Sequence, residues 1–372
     1  MAQKLAENLP PPLKKSYFDC SGSHINDVEL RLAKFVTGRF EVIALLHGYH
    51  GSTQGTQNVT GHGHTYRERY GPSHSNITFI PVPYPYRCQD HGTPEGCADW
   101  CLRFTEEILD WGTTGRPAAL IMEPIPRAGG VIVLPKEWHQ GLRRICEERG
   151  IIQIFDECHS GLGRTGRWFA FEHFDVVPDI VAIGKGLGEL PLSAAIVSEQ
   201  IAAQAEELGF AQSSSHSGDP LLCAGGMAAT NMGVFIKGRL QSLAERYDII
   251  GDLRGHGLML GIEIVTDRET KEPGGDIAEA IVNECMERGL LLFYRPGPRY
   301  AIEPGHLIRL SPPIVIAEGQ VDEAMTIFEE VIESVANSHG NDASPGGGDR
   351  YPDHPDPEIR IHVLRIRGRR RR

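Results

Sequence analysis

The chain has 372 residues, of which 40% are hydrophobic and 23% charged, and its formal net charge is −12. These are globular proportions. No apolar run approaches the roughly 20 residues a membrane-spanning helix needs, and the acidic balance argues against a dedicated nucleic-acid binder.

Met1 to Lys15 holds lysines and prolines but no apolar core of a signal peptide, so a cytoplasmic protein with reduced thiols is expected from its eight cysteines. Residues 24–36 (HINDVELRLAKFV) place Ile25, Val28, Leu32 and Phe35 at helical spacing. Val42–Leu46 is a short apolar strand. Cys88, His91, Cys97 and Cys101 follow, a CxxH and CxxxC set whose spacing matches no zinc module, so a surface loop is expected there. Ala118–Pro124 is a second strand and Glu137–Arg149 a helix charged on one side. Ile151–Phe155 (IIQIF) is apolar but for Gln153, close to the pattern of a strand buried on both faces. Ile180–Gly184 and Ala194–Ser198 complete an α/β pattern with a largely parallel sheet.

Near residue 248 the character changes. Gly251–Glu263 combines turn glycines with an apolar strand, Ile277–Arg288 is helical, Leu307–Leu310 is a strand and Glu318–Ala336 a last helix. The expected organisation is an N-terminal segment 1–15, a large domain 16–247, a small α+β domain 248–336 and a disordered tail 337–372, which carries eight arginines against five acids and ends in four arginines.

Residues 151–198 carry the densest chemistry. Asp156 and Lys185 each follow a buried strand, where open parallel sheets bind ligands. An amine and a carboxylate at one sheet edge suit pyridoxal phosphate, which needs a lysine for a Schiff base and an acid opposite its pyridine nitrogen. Gly161–Gly166 (GLGRTG) satisfies the dinucleotide spacing G-x-G-x-x-G, but bulky RWFAFEHF follows it in place of a close-packed helix, which disfavours that reading. Ser21-Gly22-Ser23 precede the first helix, where free N–H groups and the helix dipole suit a phosphate. Tyr49 follows the 42–46 strand, positioned to stack on a planar ring.

The stretch FDECHSGLGRTGRWFAFEHFDVVPDIVAIGKGLG resembles the signature of the class III aminotransferases, which are fold-type I pyridoxal-phosphate enzymes. RLAKFVTGRFEVI, YHGSTQG, EPIPRAGGVIVLP, ELGFAQSSSHSGDPL, IGDLRGHGLMLGIEIVTDRETKEP and IRLSPP are similar to further stretches of that family, nearest to its dialkylglycine decarboxylase branch. The resemblance implies pyridoxal 5'-phosphate as cofactor and transfer of an amino group from an amino acid or amine donor to a 2-oxo acid, with decarboxylation added if the chain works like that branch. It implies Lys185 as Schiff-base lysine and proton shuttle, and Asp156 as partner of the pyridine nitrogen. Tyr49 would stack on the ring, Gly22 and Ser23 would hold the phosphate, and His159 would stand near the ring hydroxyl. Ser215 would reach the phosphate of a neighbouring subunit, implying a homodimer with shared active sites. Arg309 would fork a substrate carboxylate, and Glu123 lies at another strand end beside the site.

The sequence departs from the family in four places. The resemblance implies an N-terminal lobe, for which no counterpart is expected before the matched segment. His24 and Ile25 are unusual in the phosphate loop. His159 replaces a common Gln, with a charge expected to vary near neutral pH, and Glu189 replaces a glycine after the lysine. The alternative these departures suggest is an impaired homologue that acts as a binding or assembly partner.

Overall fold

The structure is a computed structural model and describes residues 1–68, 70–71, 76–88, 93–187, 191–214, 233–294, 306–313 and 316–339. The first half is built on seven strands: β1 (Leu13–Asp19), β2 (Val42–Leu45), β3 (Ile77–Ile80), β4 (Ala119–Met122), β5 (Ile152–Asp156), β6 (Ile180–Ile183) and β7 (Ser193–Ser198). Their spatial order is β1-β7-β6-β5-β4-β2-β3. The pairs from β3 through β6 are parallel, and β7 runs antiparallel to both β6 and β1. The carboxyl ends of β1, β2, β4, β5 and β6 therefore share one edge.

Alternation along each strand divides the core between two faces. Ile43, Leu45, Leu120, Met122, Phe155, Val181 and Ile183 pack on one side. Val42, Ala44, Ala119, Ile121, Ile154, Ile180 and Ala182 pack on the other. This period-2 division is why these strands read as near-continuous apolar runs: both faces are covered. One cover is formed by α1 (Ala2–Asn8), α4 (Pro94–Gly112) and α5 (Lys136–Arg149), through Leu5, Cys101, Leu109, Trp138 and Leu142. The other is formed by α2 (Gly22–Thr37) and α6 (Glu199–Leu208), through Ile25, Val28, Leu32, Ile201 and Ala205. A short helix, α3 (Gln54–Asn58), follows β2.

The first fifteen residues, set apart in the sequence, contribute Leu5, Leu9 and Leu13 to the main core. The expected loop at Cys88–Cys101 is corrected in part. Thr93 caps α4 by accepting from the Gly96 N–H at 3.0 Å, and Pro94 sits at its start. Cys97 and Cys101, one turn apart, are then buried on its inner face. His91 lies outside the described residues. The described cysteines are all free thiols.

The second half forms another sheet. Helix α7 (Gly233–Arg246) leads into β8 (Ile250–His256), β9 (Met259–Asp267), β10 (Glu272–Pro273), α8 (Gly275–Glu287), β11 (Phe293–Tyr294), β12 (Leu307–Leu310) and α9 (Glu318–His339). β9 pairs antiparallel with β8, β10 and β12, and β12 with β11. Its own core includes Leu243, Ile262, Ile281, Ile308 and Phe328. The tail from 340 onward lies outside the described residues. Among those residues no helix is long and apolar enough to cross a membrane.

Polar contacts tie the two sheets together. Glu263 on β9 is fully buried and accepts from Tyr84 Oη at 2.7 Å, Arg87 Nε at 2.7 Å and Arg254 Nη1 at 2.6 Å, with His306 Nε2 at 3.1 Å. Burial alone would raise this carboxyl, but His306, the two guanidiniums and Tyr84 hold it well below the usual range. Arg254 Nε also donates to the Gly130 carbonyl at 2.9 Å. Glu263→Ala strands the buried Arg254 guanidinium and takes a partner from the partly exposed Arg87, and the expected loss is about 3–5 kcal/mol. Denaturant unfolding measures it; a loss under about 1 kcal/mol would mean the network contributes little.

Candidate active site

Four strand ends and one helix start converge on a cleft of about 290 Å³ at the shared sheet edge. Its lining includes Ser21, Gly22, Ser23, Asn26, Tyr49, His50, Glu123, Arg127, Asp156, His159 and Lys185. Asp156 ends β5, Glu123 follows β4, Tyr49 and His50 follow β2, and Lys185 follows β6.

Asp156 is the electrostatic floor. Its Oδ2 accepts from Asn26 Nδ2 at 2.8 Å and from His50 Nδ1 at 3.0 Å, and its Oδ1 accepts from the Cys158 N–H at 3.1 Å. Burial works to raise its pKa, but the hydrogen bond and electrostatic pull of His50, with Lys185 nearby, win, and the carboxyl lies below its usual value. The site thus keeps a fixed anion away from water. Lys185 stands exposed in the single turn after β6, with its amine free to reach the cleft.

The start of α2 forms the opposite wall. Ser21 caps it by accepting from the His24 N–H at 3.3 Å, which leaves the first-turn N–H groups of Gly22 and Ser23 at the positive end of the helix. Side chains would close this wall. A Cβ at Gly22 would lie 3.0 Å from Cys158 Sγ, and one at Gly51, whose φ is +134°, would press on Ser23 and Thr56.

Glu123 is buried and clamps two loops: its Oε1 accepts from the Tyr49 N–H at 2.9 Å and its Oε2 from the Arg127 N–H at 3.1 Å. Burial, then the Asp156 charge, push it up to about 7. Tyr49 is half-buried, its ring edge-on to Tyr66 at 5.5 Å.

His159 corrects the sequence reading. Burial and the cations Arg127, Lys185, Arg164 and Arg309 hold it far below the normal imidazole value, so it stays neutral at physiological pH. Its Nε2 lies 3.4 Å from Ser311 Oγ, while its Nδ1 is buried with no partner among the described residues.

Arg309 lies in an adjoining hollow, not in the same cleft. That hollow is about 360 Å³, is lined by Leu291, Phe293, Leu310, Ile316 and Met325, and shares Arg127 with the cleft. Arg309 Nη1 donates to the Arg127 carbonyl at 3.1 Å, and its guanidinium lies over the Phe293 ring, 4.0 Å from the centroid. Ser215 and Glu189 lie outside the described residues.

The sequence reading missed His50, Asn26, Arg127 and Glu29 as members of this centre. Asn26 is one turn beyond Ser23 and His50 is next to Tyr49, so their spacing held a signal that only the fold makes specific. Glu29, also on α2, is fully buried with no partner for either oxygen among the described residues. Burial first, then Asp156, push its carboxyl well above its usual value.

The stretch 161–166, which imitates a dinucleotide loop, opens no helix. Arg164 instead accepts the Leu258 N–H at its carbonyl, at 2.8 Å, and Gly257 lies against the backbone of Arg164 and Thr165.

The donor set at the cleft fits a planar, phosphorylated, cationic-ring aldehyde: an anion for the ring nitrogen, an amine for the carbonyl and a helix N-terminus for the phosphate. The orphaned Nδ1 of His159 is a further polar atom awaiting a partner there.

The chain matches the family model described as aminotransferase class-III over residues 1–332. It is 35% identical over 361 residues to the leucine/methionine racemase of Thermococcus litoralis, covering 92% of this chain and 78% of that protein. The structure matches an (S)-enantioselective omega-transaminase from Thermomicrobium roseum with a TM-score of 0.79 and 29% identity, covering 90% of this chain and 78% of the other. It also matches the taurine:2-oxoglutarate aminotransferase of Bifidobacterium kashiwanohense, solved with PLP and glutamate, with a TM-score of 0.81 and 28% identity, covering 90% and 79%.

Proposed function

The chain belongs to the class III aminotransferases, and on that premise we propose that it is a transaminase using pyridoxal 5'-phosphate to move an amino group from an amino acid or amine to a 2-oxo acid. The observation that carries this reading is Asp156, a buried carboxylate facing the same cleft as the Lys185 amine and the start of α2. When bound, pyridoxal phosphate supplies an electron sink for the bond broken at the substrate α-carbon.

The protein's own residues do the rest. Asp156 keeps a proton on the ring nitrogen, and Asn26 and His50 keep Asp156 charged and oriented. The N–H groups of Gly22 and Ser23 hold the phosphate. Tyr49 would lie against the ring, and His159, whose Nδ1 is buried without a partner among the described residues, would serve the ring hydroxyl. Lys185 Nζ would hold the group and, once free, would carry a proton to or from the substrate α-carbon. Arg309, with Arg127 beside it, receives the substrate carboxylate. We read the working form as a homodimer in which Ser215 contributes to a neighbour's phosphate site.

The test supplies purified holoprotein with a panel of amino donors plus pyruvate or 2-oxoglutarate. New amino acid formed only in the presence of the oxo acid supports the reading. Carbon dioxide released in step with transfer would add the decarboxylating chemistry. A second reading rests on the similarity to the racemase. If a single amino acid loses its optical purity with no oxo acid present, and no transfer occurs, racemisation replaces transamination. A protein that retains the cofactor but turns over nothing would instead be a binding partner.

A further inference from the structure

The turn from β1 into α2 holds a second cluster that the cofactor chemistry does not use. We propose that Asp19, Cys20 and His24 form a binding site for a zinc-type divalent cation. Asp19 ends β1, Cys20 follows it, and the helix start returns His24 over them, so residues one and four apart converge. Cys20 Sγ lies 3.4 Å from His24 Nδ1, which lies 3.5 Å from Asp19 Oδ1, and the three atoms all fall within 4.8 Å of one another. Thiolate, imidazole and carboxylate ligands at normal zinc distances stand about 3.3–3.6 Å apart at the corners of a tetrahedron. The two separations from His24 Nδ1, 3.4 and 3.5 Å, match such edges, and the thiol and carboxylate lie within 4.8 Å of each other.

Without a cation the carboxylate of Asp19 pairs with His24 Nδ1 and takes a hydrogen bond from the Cys20 thiol, so three ligand-type side chains point at one spot. A cation between the three would replace those contacts and release the thiol proton. The supporting contacts are those of a ligand carboxylate. Cys20 N–H donates to Asp19 Oδ1 at 2.6 Å and Gln212 Nε2 to Asp19 Oδ2 at 3.3 Å, fixing a side chain that is only 4% exposed. His24 is exposed, so a fourth position opens to solvent. Only Ser21, Gly22 and Ser23 separate the ligands, so the cation's charge adds to that of the α2 N-terminus.

The experiment is equilibrium dialysis of the full chain against zinc chloride, with a phosphine reductant and metal analysis of the protein. About one zinc per chain is expected. Cys20→Ser and His24→Ala should each weaken binding at least about tenfold, the least that loss of a residue merely supporting a ligand costs. Cys88→Ser, which alters another half-buried thiol, should leave binding unchanged. The proposal is overturned if zinc is not retained at micromolar concentration, or if Cys20→Ser binds as the unaltered chain does. Neither outcome depends on the cofactor, so the readout is separate from transaminase activity.

Discussion

Replacing Lys185 with Ala is expected to lower oxo-acid-dependent amino transfer by at least about 10⁴-fold without unfolding the protein. The lysine supplies two effects at once, covalent anchoring and proton transfer, and proton transfer alone is commonly worth about 10²–10⁴. The fold has little at stake there. Lys185 is exposed in a single turn, while the core of β6 is made by Ile180, Val181, Ala182 and Ile183. Rates measured with saturating cofactor, beside the thermal midpoint, separate the two contributions. An Ala variant within tenfold of the original rate would remove Lys185 from the chemistry. A variant that unfolds would show that the turn is structural.

Asp156→Asn keeps the size of the side chain and removes its charge. The expected result is a fall of about 10²–10³ in rate, the scale seen when one preorganised electrostatic partner is removed, together with weaker cofactor retention. The amide cannot hold a proton on the ring nitrogen. Asn26 and His50 also lose a charge-assisted acceptor. Glu123 gives a second readout. Its pKa is pushed to about 7 by burial first and by Asp156 second, so a neutral residue at 156 should let Glu123 ionise at lower pH. A carboxyl raised in this way binds its proton more tightly folded than unfolded, so it weakens the fold as pH climbs from about 4.5 towards 7. In Asp156→Asn that window should narrow from its upper end. Stability against pH measures this; an unchanged window would mean the two carboxylates do not feel one another.

Much of the sheet was legible because both its faces are buried. Ile180–Gly184 is a continuous apolar run, and Ile151–Phe155 is broken only by Gln153. Helix α2 was legible within two residues of its observed start, since its apolar spacing is regular. β1 was not, because LKKSYFD pairs on one side only, as an edge strand, and carries two lysines. Helix α4 was hidden by Pro94 and Gly96, which read as loop signals although a proline in the first turn starts a helix well.

The centre was legible wherever a residue followed a buried strand. Asp156 and Lys185 were found that way. Glu123 and Arg309 came from the resemblance. The supports of Asp156 were not found, because Asn26 and His50 lie 130 and 106 positions away in sequence and meet it only through the order of the strands. The neutrality of His159 was likewise out of reach, since it depends on burial and on the cations Arg127, Lys185, Arg164 and Arg309 gathered around it by the fold.

The contacts between the two halves set how the molecule comes apart. Met259, on the second sheet, is fully buried within the core cluster of the first. Leu258 is bonded to Arg164, and Glu263 gathers Tyr84 and Arg87 from the other half. Neither half can open without exposing apolar and charged groups of its neighbour. The chain should therefore melt as one cooperative unit, with no stable half-folded state. Fluctuations that admit substrate then have to come from loops around the cleft, not from separation of the halves.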